Sequence, residues 1–572
     1  MPTPAELPSL LAAARGDRPC DLVLRNAQLV NVASGEILSA DVAIHGRYVA
    51  GIGAGYRARE EVDLERAFVS PGFIDAHVHV ESAMVPPSEF ARLVVPRGVT
   101  AAVTDPHEIA NVAGIEGIRY MLADARRSPL AMYVNASSCV PATDLGTAGA
   151  RLEARDLEPL LPVPEVLGLA EVMNYPGAVH GDPGVLSKLA AFRGRPIDGH
   201  CPALTGHGLN AYAAAGIESD HECTRVEEAR EKLRLGMTLF LREATNAKNL
   251  AALLPLVTPS TERRICLCTD DRVVPDLVEE GSIDHLVRRT IAAGIDPVVA
   301  IRMATLNVAD RFRIPDRGMV APGRIADLAI FRDLEAPRAE RVYAAGRLVA
   351  RDGTMLAPRA PAAAAFTDTV RIDWAKVSLA IPARGRRVRA IGAIPDQLIT
   401  EHLTVDARVE GGCAVADPAR DLLKMAVIER HFRSGRVGLG FVKGVGLRGG
   451  AIAGTVAHDH HNLVVIGADD RSMFAAARAV AGAGGGLAAA SGDDVVALLP
   501  LPIAGLMSDR PYEEVGKGLR ACIAAAGKLG SKLKDPFMAM SFLALEVIPA
   551  LKLTDKGLVD VEKFAPVPLF AE

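Results

Sequence analysis

The chain has 572 residues, of which 49% are hydrophobic, and a formal net charge of −5 at pH 7. This length predicts several domains of roughly 100–200 residues each. The small negative charge argues against a nucleic-acid-binding protein and against attachment to a membrane surface.

The N-terminus and the cysteines predict a soluble, cytoplasmic protein. The first residues include Glu6 and lack a basic stretch followed by an apolar one, so they are not expected to form a signal peptide. No apolar stretch reaches the roughly 18 residues that a membrane span needs. The 8 cysteines are scattered and form no CxxC pair, which is typical of a reducing compartment.

Short strands with alternating apolar and polar residues open the chain, at 21–31 and 41–46, and Ser34-Gly35 marks a turn between them. A similar pattern returns much later, at 322–331 and 341–349. We therefore predict one small composite β domain, built from residues 1–69 and 316–360, into which a larger unit is inserted.

The inserted unit, residues 70–315, alternates strand-like and helix-like segments. Its candidate strands are 72–78, 98–104, 132–137, 166–171, 196–200, 216–221, 237–242 and 265–270. Helical patterns separate them, as at 225–234. Strand–helix units in this number predict a (β/α)8 barrel, whose active site would lie at the carboxyl ends of the strands.

Two histidines end the first barrel strand. His77 and His79 follow an apolar run and are separated by one residue. Side chains at positions i and i+2 of a strand point to the same side. Both imidazoles can therefore face one metal ion from a single strand end.

Other ligand-type residues end later strands of the barrel. They are Glu171 on the fourth strand, His200 on the fifth, His221 on the sixth and Asp270 on the eighth. A buried histidine alone is more often a core residue, but the whole set is too large for one tetrahedral ion. It suits two ions about 3.5–4 Å apart, bridged by a carboxylate and a hydroxide. Glu171 is the natural bridge, because a carboxylate has two oxygens. Nitrogen and oxygen ligands without cysteine are compatible with Mn²⁺, Fe²⁺ or Zn²⁺.

Residues 366–572 follow a proline- and alanine-rich run at 361–365 and predict a C-terminal α+β domain. Strand-like runs at 437–442 and 462–466 accompany helical patterns at 472–480 and 512–529. The pattern of His458, Asp459, His460 and His461 is typical of a third metal site, of a cluster of lid residues or of a polar turn before the next strand. We hypothesise that this loop closes over the mouth of the barrel and excludes water.

The ligand pattern resembles the amidohydrolase superfamily, and the finer match is to the adenine deaminases of bacterial type. This resemblance covers nearly the whole chain. Its motifs lie at 71–82, 104–112, 171–177, 198–202, 219–223, 232–237, 438–444, 455–462 and 501–509. The HxH pair alone would indicate only the superfamily, whereas the motifs in the third region are far more specific.

The resemblance implies a binuclear centre of manganese or iron type whose metal positions are His77, His79, Glu171, His200, His221 and Asp270. It also implies that a hydroxide activated by this centre attacks C6 of adenine, giving hypoxanthine and ammonia. Asp270 would carry the proton from the hydroxide to the leaving nitrogen, although the adjacent Asp271 could take that role.

A second acid should protonate a ring nitrogen of the purine. Glu108 and His107, just past the second strand, are candidates for this role or for a structural role in the loop. The chain departs from the family at Val273, where a histidine is expected, which puts a local substrate contact in doubt.

Two other classes of function stay open on the sequence. A related amidohydrolase could act on another aminopurine, or on a cyclic amide in the manner of a dihydroorotase or hydantoinase. Those enzymes usually bridge their metals with a modified lysine on the fourth strand, where this chain has Glu171. A non-catalytic barrel, the second class, would be expected to lack some of the metal-ligating residues, and this chain keeps all six.

The expected partners are adenine and water, without nucleic acid or membrane, and a homodimer is the default assembly.

Overall fold

The computed structural model describes residues 2–361, 365–395 and 397–571. After a short helix, α1 (Leu7–Ala14), the chain forms a group of strands. They are β1 (Cys20–Asn31), β2 (Glu36–His45), β3 (Tyr48–Ile52), β4 (Ala58–Asp63) and β5 (Phe68–Pro71). The turn between β1 and β2 contains Gly35 at φ +83°, a backbone conformation that glycine adopts without steric cost.

Eight parallel strands follow, and almost all of their residues are buried, as expected for a sheet covered on both faces. They are β6 (Phe73–Val78), β7 (Val99–Thr104), β8 (Ala131–Ala136), β9 (Val166–Val172), β10 (Ile197–Gly199), β11 (Ser219–Asp220), β12 (Thr238–Arg242) and β13 (Ile265–Cys268). Strands β6–β10 and β11–β13 form two sets. The Glu218 amide donates to the Ile197 carbonyl at 3.0 Å and the Asp270 amide to the His77 carbonyl at 2.9 Å, which joins the sets at both edges. The predicted barrel is confirmed.

Helices connect and cover these strands. They are α2 (Pro87–Val94), α3 (His107–Ala125), α4 (Ala154–Leu157), α5 (Tyr175–His180), α6 (Pro183–Ala191), α7 (Gly206–Ala214), α8 (Val226–Arg234), α9 (Leu250–Leu253), α10 (Val274–Glu279), α11 (Ile283–Ala292), α12 (Pro297–Met303) and α13 (Leu306–Arg311). Helix α8 agrees with the predicted helix at 225–234. Helix α3 is kinked at Gly114, whose φ of +62° lies outside the helical region.

The composite β sheet is also confirmed. After the barrel come β14 (Leu328–Phe331), β15 (Arg341–Ala344), β16 (Arg347–Arg351) and β17 (Thr354–Met355). Strand β14 pairs antiparallel with β5, with Ala329 opposite Ser70, so strands from before and after the barrel share one sheet. This sheet runs directly into β6 through Gly72 and fixes the position of the first ligand-bearing strand.

The C-terminal region mixes strands and helices, as predicted. Its strands are β18 (Arg387–Ala393), β19 (Thr400–Asp406), β20 (Arg408–Glu410), β21 (Cys413–Val415), β22 (Leu423–Ile428), β23 (Val437–Lys443), β24 (Ala451–Gly454), β25 (Leu463–Gly467), β26 (Gly486–Ser491), β27 (Asp494–Pro500), β28 (Leu551–Thr554), β29 (Gly557–Asp560), β30 (Ala565–Val567) and β31 (Phe570–Ala571). Its helices are α14 (Asp470–Gly482), α15 (Tyr512–Lys528) and α16 (Pro536–Phe542). Of the predicted linker at 361–365, residues 362–364 lie outside the described part of the chain.

The C-terminal region packs against the barrel through a continuous hydrophobic core. One cluster of buried side chains contains Val274 of α10 together with Val515 of α15 and Phe537 of α16. The loop between β24 and β25, which carries His458 and Asp459, reaches the carboxyl ends of the barrel strands. Across the described ranges, none of the helices has the length and apolar character needed to cross a bilayer.

Candidate metal centre

His77 and His79 project to the same side of the chain at the end of β6, as their spacing predicts. Their Nε2 atoms lie 3.1 Å apart, and both side chains are buried. His79 Nδ1 lies 3.0 Å from the Asp105 carbonyl oxygen, to which it can donate its proton. That hydrogen bond turns the Nε2 lone pair of His79 toward His77, which is the usual orientation of a metal-binding histidine.

Glu171, near the end of β9, lies between two groups of histidines. Its Oε1 atom is 3.2 Å from His79 Nε2 and 3.7 Å from His77 Nε2. Its Oε2 atom is 3.2 Å from Nε2 of His221, which follows β11. The two oxygens of one carboxylate therefore face different histidine groups, which is the geometry of a bridging ligand.

His200 and His221 form the second histidine group. Their rings meet edge to face at 5.5 Å between centroids, and His221 stacks on His77 at 4.2 Å. Their Nε2 atoms lie 3.5 Å and 3.6 Å from Glu222 Oε1. Ligand atoms of Glu171, His200 and His221 all lie within 4.8 Å of one another.

Asp270 completes the set from the end of β13. Its Oδ1 atom is 3.3 Å from His79 Nε2 and 3.6 Å from His77 Nε2, while Oδ2 accepts a hydrogen bond of 2.8 Å from Arg242. Its backbone has φ +55°, a left-handed conformation that costs a non-glycine residue roughly 1–2 kcal/mol. Asp271 instead accepts a hydrogen bond from Ser82.

Electrostatics keep both carboxylates ionised. Burial alone would raise the pKa of Glu171, but the imidazoles of His221 and His79 outweigh it and hold the pKa well below its usual value. Burial likewise opposes ionisation of Asp270, and the Arg242 guanidinium and the His77 imidazole lower its pKa well below the usual value. In turn, Asp270 and Glu171 outweigh burial and raise the pKa of His79, and Glu171 raises that of His221. Because metal binds ionised carboxylates and neutral imidazoles, binding would displace protons from these histidines.

His107 and Glu108 begin helix α3 and lie in different surroundings. His107 lines the central cavity, with Nδ1 3.0 Å from Asp105 Oδ2 and Nε2 3.4 Å from Asp459 Oδ1. Burial lowers the pKa of His107, but Asp105 and Asp459 outweigh it and raise the pKa well above its usual value. Glu108 Oε1 lies 3.0 Å from the Ser82 hydroxyl oxygen and 3.9 Å from His458 Nδ1.

Residues that the sequence did not single out complete the site. Arg242, at the end of β12, contacts both Glu222 and Asp270, and all three are buried. A signal was present for each, since Arg242 ends a predicted strand and Glu222 directly follows His221. Neither signal indicates the ion pair between them, because that pair depends on how the strand ends meet.

The C-terminal region covers the site. His458, Asp459, Phe542, Leu545 and Ile548 line the central cavity together with the barrel residues, and the cavity has a volume of about 30 Å³. Val273, at the position where the resemblance leads us to expect histidine, is buried in the hydrophobic core before α10.

Four imidazoles and two carboxylates thus converge in a buried pocket at the carboxyl ends of the barrel strands. This donor set fits divalent cations that prefer nitrogen and oxygen ligands. Barrel and site together are of the amidohydrolase type, and residues 68–355 match the amidohydrolase family. Residues 397–565 match the adenine deaminase C-terminal domain.

Comparison with curated proteins gives a closer relationship over nearly the full length. The chain is 51% identical over 564 residues to adenine deaminase of Desulfatibacillum aliphaticivorans, covering 98% of this chain and 99% of the relative. It is 48% identical over 562 residues to that of Methylobacterium nodulans, again covering 98% of this chain and 99% of the relative. Adenine deaminase 2 of Carboxydothermus hydrogenoformans is 48% identical over 563 residues, with the same coverage. The chain therefore belongs to the adenine deaminase family.

Proposed function

We propose that this protein hydrolyses adenine to hypoxanthine and ammonia at a pair of divalent cations. One observation carries the proposal. Glu171 directs its two oxygens at two separate histidine groups, 3.2 Å from His79 and 3.2 Å from His221, in a chain of the adenine deaminase family. The named activity of the relatives supports adenine as the substrate.

The cations would be held in two positions that share Glu171. His77 and His79 would bind the first cation, and His200 and His221 would bind the second. Asp270 lies on the side of the first pair. Nitrogen and oxygen ligands favour Mn²⁺ or Fe²⁺, with Zn²⁺ as a further candidate.

The reaction adds a water oxygen to C6 of adenine and breaks the bond between C6 and the exocyclic nitrogen, which leaves as ammonia. Divalent cations, when bound, lower the pKa of water from 15.7 to about 7. Asp270 would accept a proton from the attacking water through Oδ1 and pass it to the leaving nitrogen. Arg242 holds the other oxygen at 2.8 Å and fixes the direction of that transfer. This contact supports Asp270 over Asp271 as the proton carrier.

His107 is the better placed of the two candidates for protonating a ring nitrogen. It lines the cavity and lies between the carboxylates of Asp105 and Asp459, which favour its protonated form. Glu108 faces Ser82 and His458. We propose that His107 donates the proton and that Glu108 supports the loop.

The experiment that tests this function is a metal and substrate screen. Protein stripped by a chelator is reloaded with Mn²⁺, Fe²⁺ or Zn²⁺. It is then assayed for ammonia release from adenine and adenosine, and for ring opening of hydantoin, which gives an N-carbamoyl amino acid and no ammonia. We expect release from adenine and two metal equivalents per chain. Ammonia release from another aminopurine alone, or ring opening of hydantoin alone, would instead support the alternative substrates. No ammonia release from adenine with any metal would overturn the proposal.

The assembly, compartment and domain boundaries of the protein are also proposed. We infer a homodimer in the cytoplasm, with domains at 1–69 and 316–360, at 70–315 and at 366–572. The free thiols of the cysteines support a reducing compartment. Light scattering would test the assembly, and limited proteolysis would test the boundaries.

A further inference from the structure

The candidate centre is closed off from solvent. Its six side chains are between 2% and 5% exposed. The central cavity, about 30 Å³, has room for a water molecule or two, whereas cavities that bind small molecules have volumes of roughly 300–1,000 Å³. A purine can therefore reach the centre only if part of the wall moves.

A much larger cleft adjoins this cavity on the side of the C-terminal region. Its volume is about 730 Å³, and it is lined by Thr400, Arg448, Lys532 and Ala539 among others. Leu398 and Phe542 line both the cleft and the central cavity. These two apolar side chains are shared walls, so they separate the cleft from the metal centre.

Lys552 fixes the backbone of both separating residues. Its buried Nζ donates one hydrogen bond of 2.9 Å to the Leu398 carbonyl and another of 2.8 Å to the Phe542 carbonyl. Movement of the wall is therefore easiest at the side chains, and side-chain rotation is much faster than rearrangement of the backbone. In the closed arrangement the Phe542 ring stacks on His458, with 4.5 Å between centroids and 4° between planes.

We propose that purines reach the metal centre through this cleft, when the side chains of Phe542 and Leu398 rotate away from each other. The inference rests on the proposed function for the identity of the substrate. It makes Phe542 and Leu398 gating residues that limit the size of the purine admitted. It also gives the C-terminal region a direct part in substrate access.

Reversible blocking of the cleft tests the route. Ala539 lies one turn before Phe542 on α16, so Ala539→Cys places a thiol inside the cleft. A benzyl thiosulfonate reagent would attach a bulky group there, and a phosphine reductant would remove it. We expect kcat/KM for adenine to fall about tenfold or more after modification, because association is slowed, and to recover on reduction. Metal content should not change.

Two controls accompany this experiment. Ser128→Cys places the same thiol in a different cleft, and its modification should change kcat/KM by less than about twofold. Treatment of the parent chain with the same reagent measures the effect of modifying Cys413, which is partly exposed while the other cysteines are buried. Full kcat/KM in modified Ala539→Cys protein would overturn the proposed route.

A second measurement does not depend on turnover. Phe542→Ala should speed the loss of bound Mn²⁺ to a small chelator severalfold relative to the unmodified chain, because the chelator would use the same path. Leu398→Ala should act in the same direction. Unchanged metal-loss rates in both variants would contradict the gating role. If the unmodified chain releases no ammonia from adenine, the proposed function fails, but this comparison of rates still tests the route.

Discussion

Glu171 shows how far residue patterns alone can lead. Its place at the end of an apolar strand, with four histidines on other strand ends, predicts a shared ligand. The structure brings His77, His79 and His221 within 4 Å of its carboxylate and His200 within 4.8 Å of it. The pairing of Arg242 with Asp270 and Glu222 could not be predicted in the same way. It joins three strands whose relative heights depend on barrel geometry rather than on local sequence.

Asp270→Asn tests the proton carrier. The amide keeps the shape of the side chain but cannot accept the proton, so we expect kcat to fall by about 10²–10⁴-fold. Steady-state ammonia release measures the loss, and elemental analysis should find most of the metal retained. A greater loss of kcat in Asp271→Asn than in Asp270→Asn would exchange the roles of the two residues.

Arg242→Met tests the buried ion pair. Removing the guanidinium leaves the carboxylates of Glu222 and Asp270 without the positive charge that Arg242 supplies. Breaking a buried ion pair in this way lowers the free energy of unfolding by about 3–5 kcal/mol. Denaturant unfolding of the metal-free protein should show this decrease in the free energy of unfolding. Arg119→Gln removes an exposed pair with Glu116 as the control, and it should cost no more than about 1 kcal/mol.

At the scale of elements, most barrel strands were predictable because each is a short, mainly apolar run followed by a turn. Strands β10 and β11 are shorter than predicted and contain polar residues, Ile197–Gly199 and Ser219–Asp220. The kink of α3 at Gly114 was not predicted, since a single glycine in a helical pattern is often tolerated. The role of the loop between β24 and β25 as a cover for the barrel was only hypothesised. Contacts between segments about 300 residues apart leave no local periodicity in the sequence, although His458 and Asp459 do line the cavity.

Close approach of β9 and β10 gives a prediction at this scale. A Cβ atom on Gly168 would lie 2.0 Å from the Pro196 carbonyl oxygen, so Gly168→Ala must push the two strands apart. We expect a loss of about 1–3 kcal/mol in the free energy of unfolding, measured by denaturant titration. Metal affinity should fall as well, because these strands carry Glu171 and His200.

Gly527→Ala is the matched control for that variant. Nothing lies within 4 Å of a Cβ atom at this position near the end of α15. Alanine favours helix more than glycine by about 1 kcal/mol, so this variant should be as stable as the parent chain or slightly more stable. Equal destabilisation by both substitutions would show that the close approach of β9 to β10 is not the reason why alanine at position 168 destabilises the protein.

For the whole molecule, the barrel and the C-terminal region enclose one site. Cations that bind only the folded chain should stabilise it by roughly 4 kcal/mol when present at 1,000 times their Kd. Chelation should therefore lower the temperature of unfolding, as followed by calorimetry. An unchanged transition after complete metal removal would mean that cation binding does not stabilise the folded chain.

The most direct measurement is an anomalous difference map from crystals loaded with Mn²⁺. Two peaks are expected in the buried pocket, one beside His77 and His79 and the other beside His200 and His221, with the Glu171 carboxylate between them. A single peak, or two peaks that do not share Glu171, would contradict the paired centre.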